Sequence, residues 1–410
     1  MRDRSRVGSA HGACGRARIA LALAAALAQL GWSGFTGVPS TGIRATDASG
    51  HRVVAITHNP VSAAAGAPAY RAQPGLPANP DDRDLRVVYL GTGGFYIERR
   101  YGAVWEGVLT APFFTHTSLM RLGFGDLGSD PAQVDALPRL VPPDALRRVR
   151  AVLAGHAHHD HILDLPTVLT AWATAASVYG NASMANLLEA ALPGKRCVAI
   201  AGDQVRRARD QPVTWLPQIQ PGAPPRRIRF TAIASSHAPN LRSWWLGPLW
   251  RFDYVRGEVP DLRDALPLRP RGWKVGQTLA FAIDFMNEAD TTQVEYRVYY
   301  QDTPHRVDAV HDGMLFPRPQ DRRKVDLAIA CAATANFVDG YVPSLVTSVR
   351  ADDYILGHWE DFFRPYTRDP KDLRAVSVTN PETVIDAFQA QGVTHWVLPT
   401  PGTQLLYRTR

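Results

Sequence analysis

Cysteine is scarce in this chain: three in 410 residues, at positions 14, 197 and 331. Long apolar runs are scarce as well. The run Ile19–Ala28 follows Arg2, Arg4, Arg6, Arg16 and Arg18, and it is too short for a comfortable membrane-spanning helix. A basic stretch, a short apolar core and the site Ala26-Leu27-Ala28 predict a signal peptide over residues 1–28. A periplasmic or secreted protein is therefore expected, with an uncleaved N-terminal membrane anchor as the rival reading. Those residues carry five arginines and one aspartate, so the formal charge of +7 falls to +3 without them. That leaves little basic excess, and no nucleic-acid partner is expected. Cys14 precedes the apolar run, so it is not placed for lipidation. Cys197 and Cys331 remain, as one disulfide or two buried thiols. Two more absences narrow the chemistry. No P-loop lysine follows the turn Gly91–Gly94, and Ser235-Ser236 lacks the surroundings of a nucleophile elbow.

What is present is enough apolar material for a large core: 45% of the residues are hydrophobic. Residues 29–83, rich in Gly, Ala, Pro, Ser and Thr, read as a lead-in that is extended or partly disordered. A single domain is expected over 84–410. Strands are predicted at 86–90, 95–97, 104–109, 150–154, 178–179, 196–201, 227–234, 277–285, 294–301, 324–330, 353–357 and 394–398. Helices are predicted near 164–175, 181–191, 342–350 and 382–391, with Asp164 as an N-cap. Such alternation is the mark of an α/β fold. Residues 212–225 form a proline-rich connection. Residues 241–273 read as an insertion carrying Trp244, Trp245, Trp250, Phe252, Tyr254 and Trp273. This is either local packing under a long loop or an apolar wall for a pocket, suited to an acyl or aromatic group or to peripheral contact with a membrane.

One stretch dominates the rest. Gly155–His161 reads GHAHHDH and places His156, His158, His159, Asp160 and His161 directly after an apolar strand. Imidazole nitrogens and carboxylate oxygens are donors that zinc-like divalent ions accept. Open α/β sheets place their chemistry at the C-terminal ends of strands. Further single residues stand after later strands: His237 after 227–234, Asp302 after 294–301, and His358 after 353–357. His116, His305 and His311 are candidates to line or support the same site. Glu360 and Asp361 are either partners for an imidazole N–H or surface acids, and the surface reading is favoured slightly.

The pattern H-x-H-x-D-H after an apolar strand resembles the metallo-β-lactamase superfamily of hydrolases. A terminal His such as His358 resembles the last metal His of the lactonase-like branch and of the relatives of the N-acyl-phosphatidylethanolamine phospholipase D, and the pair His358-Trp359 looks more like the phospholipase D relatives. The resemblance implies an αββα sandwich, two mixed β-sheets packed face to face with helices outside. It implies two metal positions: His156, His158 and His237 for one ion, Asp160, His161 and His358 for the other, and Asp302 bridging. The sequence departs from the family at Gln301, where a glycine often stands. His159 falls on a variable position of the motif and is left out.

That ligand set implies two Zn2+ ions, with Mn2+ or Fe2+ also open. The expected activity is hydrolysis of an ester, lactone or amide bond by a hydroxide made available on the metal, with Asp160 orienting the water or accepting its proton. A phosphodiesterase acting on phospholipid-like substrates is the first alternative. An iron-dependent redox enzyme and a non-catalytic metal-binding protein follow. The partner is in every case a small molecule, and β-lactam hydrolysis itself is not implied.

Overall fold

The computed structural model describes residues 53–57, 84–118, 121–122, 125–192, 196–205, 214–215, 227–239, 256–307, 325–364, 375–376 and 379–407. The expected signal peptide, most of the lead-in, His311, and the aromatic residues 244–254 lie outside them.

Two sheets make up the molecule. The first holds β1 (Val53–Thr57), β2 (Leu85–Gly91), β3 (Gly94–Tyr101), β4 (Val104–Thr110), β5 (Val149–Leu153), β6 (Ser177–Gly180), β7 (Cys197–Ala199) and β15 (Gln404–Tyr407), in the order β1-β15-β2-β3-β4-β5-β6-β7. The second holds β8 (Thr214–Trp215), β9 (Ile228–Ala234), β10 (Leu279–Met286), β11 (Val294–Gln301), β12 (Leu327–Cys331), β13 (Asp353–Gly357) and β14 (Trp396–Val397), in the order β14-β13-β12-β11-β10-β9-β8. Both are mixed. In the first, β2, β3 and β4 run antiparallel, and β5, β6 and β7 add on parallel. In the second, β9, β10 and β11 are antiparallel, and β12, β13 and β14 follow parallel. The two halves thus share one strand order, although no repeated motif marks it in the sequence.

The strands' two-residue period sorts their side chains into layers. Leu85, Val87 and Tyr89 of β2 meet Leu279, Phe281, Ile283 and Phe285 of β10 in a cluster between the sheets. Val88 and Leu90 point the other way, into a cluster with Val168, Leu169, Leu187 and Leu188. Those come from the helices α4 (Leu165–Ala171) and α5 (Ala182–Leu188). Ala280 and Ala282 likewise face Leu345, Val349, Val384 and Phe388 of α6 (Tyr341–Val349) and α7 (Pro381–Ala390). The layering is αββα, the expected α/β architecture of two mixed sheets. Each fully buried Leu, Ile, Val or Phe contributes roughly 1.5–3 kcal/mol. Shorter helical elements include α1 (Pro131–Val134), α2 (Leu137–Leu140) and α3 (His159–Ile162).

Local sequence sets several helix starts. Asn181 caps α5 by accepting from the Met184 N–H at 2.8 Å. Asn380 caps α7 by accepting from Glu382 N, with Pro381 in the first turn. Asp164 stands at the N-cap position of α4 but makes no capping bond. Its buried carboxylate instead accepts from Phe114 N, Thr115 N, Thr115 Oγ1 and Ser129 Oγ, at 2.6–2.8 Å. The expected cap is corrected: the side chain fixes the 114–115 loop, where four donors outbid one helix amide.

On the other face of β10, Asp284 sits opposite Arg229 of β9 and Arg297 of β11. It accepts from Arg229 Nη2 at 2.6 Å and from Arg297 Nε at 2.6 Å. All three are buried. Cys197 and Cys331 are separate free thiols, not a disulfide. No helix among the described residues is long and apolar enough to cross a membrane.

Candidate metal centre

Four loops at strand ends converge at one edge of the sandwich. β5 stops at Leu153, and the backbone of the following turn is pinned to the second sheet: Leu279 N donates to Gly155 O at 2.7 Å, and Ala157 N to Val275 O at 3.0 Å. α3 then coils back at once, with His158 at its N-cap. One helical turn is enough to bury Asp160 and His161 beside His156. His237 follows β9 in a loop tied across by Ala238 N donating to Thr303 Oγ1 at 3.2 Å. Asp302 follows β11, two residues beyond Tyr300, whose ring lies between the sheets. The strand period therefore aims Asp302 the same way. His358 follows β13 in a left-handed backbone conformation, φ 56°.

The structure brings all seven expected donors together, in three overlapping groups. These are His156, His158 and His237; His156, His161 and Asp302; and Asp160, His161 and His358. Within each group the donor atoms lie within 4.8 Å of one another, and each group could hold a metal ion. The rings of His156, His158 and His237 form a triangle with centroids 4.7–4.9 Å apart. His156 Nδ1 lies 2.8 Å from Asp302 Oδ2. A carboxylate can only accept, so Nδ1 carries the proton and Nε2 keeps its lone pair. His237 Nδ1 likewise donates to the Ala238 carbonyl at 2.8 Å. Asp160 Oδ2 lies 3.5 Å from both His161 Nε2 and His358 Nε2.

Burial and mutual repulsion keep the His triangle uncharged. Desolvation, then the charge of His156, lowers His237 to about 3. Desolvation and the neighbouring His156 and His237 hold His158 well below the usual imidazole range. Uncharged imidazole is the form that ligates. Burial opposes ionisation of Asp302, yet His161 and His156 hold its carboxyl well below the usual range. Asp160 is held low too, against its burial, chiefly by His161. Burial disfavours the charged form of His161, but Asp302 and Asp160 outweigh it and raise the ring to about 9.

A divalent cation fits this donor set. Buried His158 Nε2 and His161 Nδ1 have no hydrogen-bond partner, which is costly unless something else satisfies them. His161 Nδ1 is 2.9 Å from Asp302 Oδ1, but not in hydrogen-bonding geometry. The cradle is also crowded to the limit. A Cβ on Gly155 would stand 2.4 Å from Asp302 Cβ and 2.6 Å from its Oδ2. A Cβ on Gly93 would stand 2.9 Å from both Asp302 Oδ1 and His161 Nδ1.

Other expected residues stand apart from these groups. The ring of His159 lies edge-on to Phe113 at 6.2 Å. His116 is buried with Nδ1 3.2 Å from Phe362 O, and burial lowers it to about 4. It lies behind Phe362, whose ring meets His358 at 4.9 Å. His305 is half-buried and joins none of the groups. The surface reading of Glu360 is overturned: the residue is 1% exposed, and its carboxylate accepts from Tyr89 Oη and Thr92 N. Asp361 is half-buried, 3.6 Å from Arg364 Nε. Trp273 of the aromatic segment is core: fully buried, with Nε1 donating to Pro267 O at 2.9 Å. Three functional neighbours went unnoticed in the sequence: Tyr300, which donates to Asp302, Tyr89 and Gly93. Each reads as an ordinary strand or turn residue, and only their placement gives them a role.

The profile of the beta-lactamase superfamily domain matches residues 126–253, a span that includes His156, His158, Asp160, His161 and His237. The match supports membership of that superfamily. Among solved structures, the chain is similar to the metallo-beta-lactamase fold protein YhfI from Bacillus subtilis, at 15% identity and a TM-score of 0.41, over 79% of this chain and 99% of that one. It is similar to a long form RNase Z from yeast at 12% identity and a TM-score of 0.38, over 70% of this chain and 38% of that one. It is also similar to the metallo-beta-lactamase MIM-1 from Novosphingobium pentaromativorans, at 13% identity and a TM-score of 0.27, over 76% and 88%. No curated protein sequence matches it.

Proposed function

We propose that the protein is a binuclear metal-dependent hydrolase of an ester, lactone or amide, with zinc as the fitting ion. The carrying observation is the overlap of the three donor groups. His156 and His161 each belong to two of them, so the groups are adjacent positions of one centre. Nitrogen-rich, partly carboxylate donor sets of this kind suit zinc. His156, His158 and His237 would hold one ion, and Asp160, His161 and His358 the other. Asp302, in reach of both His156 and His161, would lie between. Two such ions supply Lewis acidity and bring the pKa of water towards neutrality.

The chain's own residues do the rest. Asp160, held ionised, can orient a water through one oxygen and receive its proton. Asp302 fixes the tautomer of His156. Phe113 and Phe362 place apolar rings beside His159 and His358 and so limit water on that side. Export to the periplasm, and a substrate with an acyl or aromatic group, belong to the same proposal.

Elemental analysis of the purified chain and of His158→Ala tests it. About two zinc ions per chain, reduced in the variant, together with turnover of esters or lactones that stops on exhaustive chelation, is the expected result. Preference for bis(p-nitrophenyl) phosphate over carboxylic esters would move the reading to a phosphodiesterase. About one iron or none, unchanged in the variant, would overturn it.

A further inference from the structure

Two residues without glycine's freedom take up the left-handed backbone beside the centre: Thr92, φ 53°, in the β2–β3 turn, and His358, φ 56°, after β13. Such conformations cost roughly 1–3 kcal/mol each and persist only where the surroundings over-determine them. They stand in different sheets, and one side chain reaches both. Glu360, two residues past His358, turns inward instead of out. Its Oε1 accepts from Thr92 N, and its Oε2 accepts from the Tyr89 hydroxyl. That hydroxyl in turn accepts from His358 N at 3.0 Å. Tyr89 is fully buried and its ring packs on Phe95 at 4.9 Å, so the hydroxyl has a fixed place. Phe95 also closes on the end of β13, where a Cβ at Gly357 would stand 2.9 Å from its ring. Trp359, between His358 and Glu360, is locked by Nε1 donating to Pro399 O at 2.6 Å.

We infer that Glu360 is a positioning residue for His358. Through Tyr89 it holds the His358 amide, and through Thr92 it holds the facing turn, so that the imidazole meets Asp160 and completes one metal position. The inference rests on the hydrolase reading and names a part of the same centre. A buried carboxylate with donors on both oxygens is well satisfied. Without it, the strained backbone at His358 loses what determines it, and the ring loses its aim. Next to Thr92 stands Gly93, against Asp302 and His161. The clamp's own hydrogen bonds reach His358, which belongs to the Asp160–His161–His358 group alone, and none of them reaches His156, His158 or His237.

The experiment uses the full chain in three forms besides wild type: Tyr89→Phe, Glu360→Gln and His158→Ala. Binding of zinc and of cobalt is measured by chelator competition, with the cobalt absorption spectrum as the signature of each position. Backbone amide exchange is measured on the metal-free chain. Wild type should bind two equivalents. Tyr89→Phe and Glu360→Gln should lose at least tenfold in affinity for one equivalent, with the other unchanged. His158→Ala should lose the other one, with a different cobalt spectrum remaining. In the metal-free chain, the Thr92 amide should exchange at least tenfold faster in Glu360→Gln, and the His358 amide in Tyr89→Phe. General loosening would weaken both equivalents alike, so equal losses overturn the inference. So do two unchanged equivalents, or unchanged amide exchange in Tyr89→Phe, the variant that removes a single atom. A wild-type chain that takes up no divalent cation sinks the hydrolase reading and the metal half of the inference together, and the amides then report on the clamp alone.

Discussion

Tyr300 and Asp302 lie two residues apart at the end of β11 and share a hydrogen bond, hydroxyl to carboxylate. The same hydroxyl lies 2.9 Å from the Gly93 carbonyl in the first sheet. The carboxylate that would lie between the two proposed metal positions is thus oriented from a ring held between the sheets. Tyr300→Phe keeps the ring and removes the orientation. Loss of such an outer partner typically weakens metal binding about 10–100-fold, while the net stability lost with one hydrogen bond is about 1 kcal/mol. Chelator competition and thermal melting separate the two. Unchanged metal affinity would show that Asp302 is aimed by something else.

Gly155 and Gly93 should not tolerate even a methyl group. In Gly155→Ala the new carbon would meet Asp302 and, at 2.7 Å, the Leu279 carbonyl, which is backbone and cannot swing aside. Overpacking of this kind costs about 1–3 kcal/mol, and the displaced carboxylate should take metal content with it. In Gly93→Ala the clash is milder, 2.9–3.0 Å against side-chain atoms. There the expected result is a smaller loss of stability with a comparable loss of metal. Full metal occupancy in Gly155→Ala would contradict the packing seen here.

Acid should attack the triad on β9, β10 and β11. Burial works against ionised Asp284, but the Arg297 and Arg229 guanidiniums hold its carboxyl below the usual range. A group with a depressed folded pKa contributes stability above its unfolded pKa, about 4, and loses it as pH falls through the folded value. Wild type should therefore lose stability below about pH 4 more steeply than Asp284→Asn. At neutral pH the variant, with two guanidiniums buried without their carboxylate, should be less stable by about 3–5 kcal/mol. Urea melts at pH 7 and pH 3.5 measure both; parallel curves for the two proteins would remove Asp284 from the account.

Cations bound at the centre should join the sheets. Four donors follow β5 in the first sheet, and three follow β9, β11 and β13 in the second. An ion present at a thousand times its dissociation constant adds about 4 kcal/mol to the folded state. Chelation should lower Tm by several degrees yet leave circular dichroism unchanged below the transition, because the three apolar clusters do not depend on the metal. A Tm indifferent to zinc would count against binding across the two sheets.

Much of this was legible in the sequence because strands bring their own signal. Apolar alternation marked most of the long strands, and a His or Asp directly after such a run stands at the sandwich edge. The layered α/β fold followed from the same alternation. What escaped had no local signal. Glu360 sits beside Asp361 in a polar stretch, where acids are ordinarily exposed. Its burial depends on Tyr89, 271 positions away. Asp164 carries the residue type of an N-cap, and only the folded chain brings the 114–115 loop to its carboxylate. α1, α2 and β15 are four residues each, too short for periodicity to register.

That last strand has a temporal meaning. β15 lies between β1 and β2, hydrogen-bonded to both, while every other strand of the first sheet is made by residue 199. On the ribosome that sheet must wait, with an open seam, until residues 404–407 emerge, and by then the whole second sheet has been synthesised. The edge on which the metal ligands meet can close only after translation has passed all of them. Ion capture should accordingly be a late event, and a chain stalled before β15 should hold all seven ligands while the seam between β1 and β2 is still open.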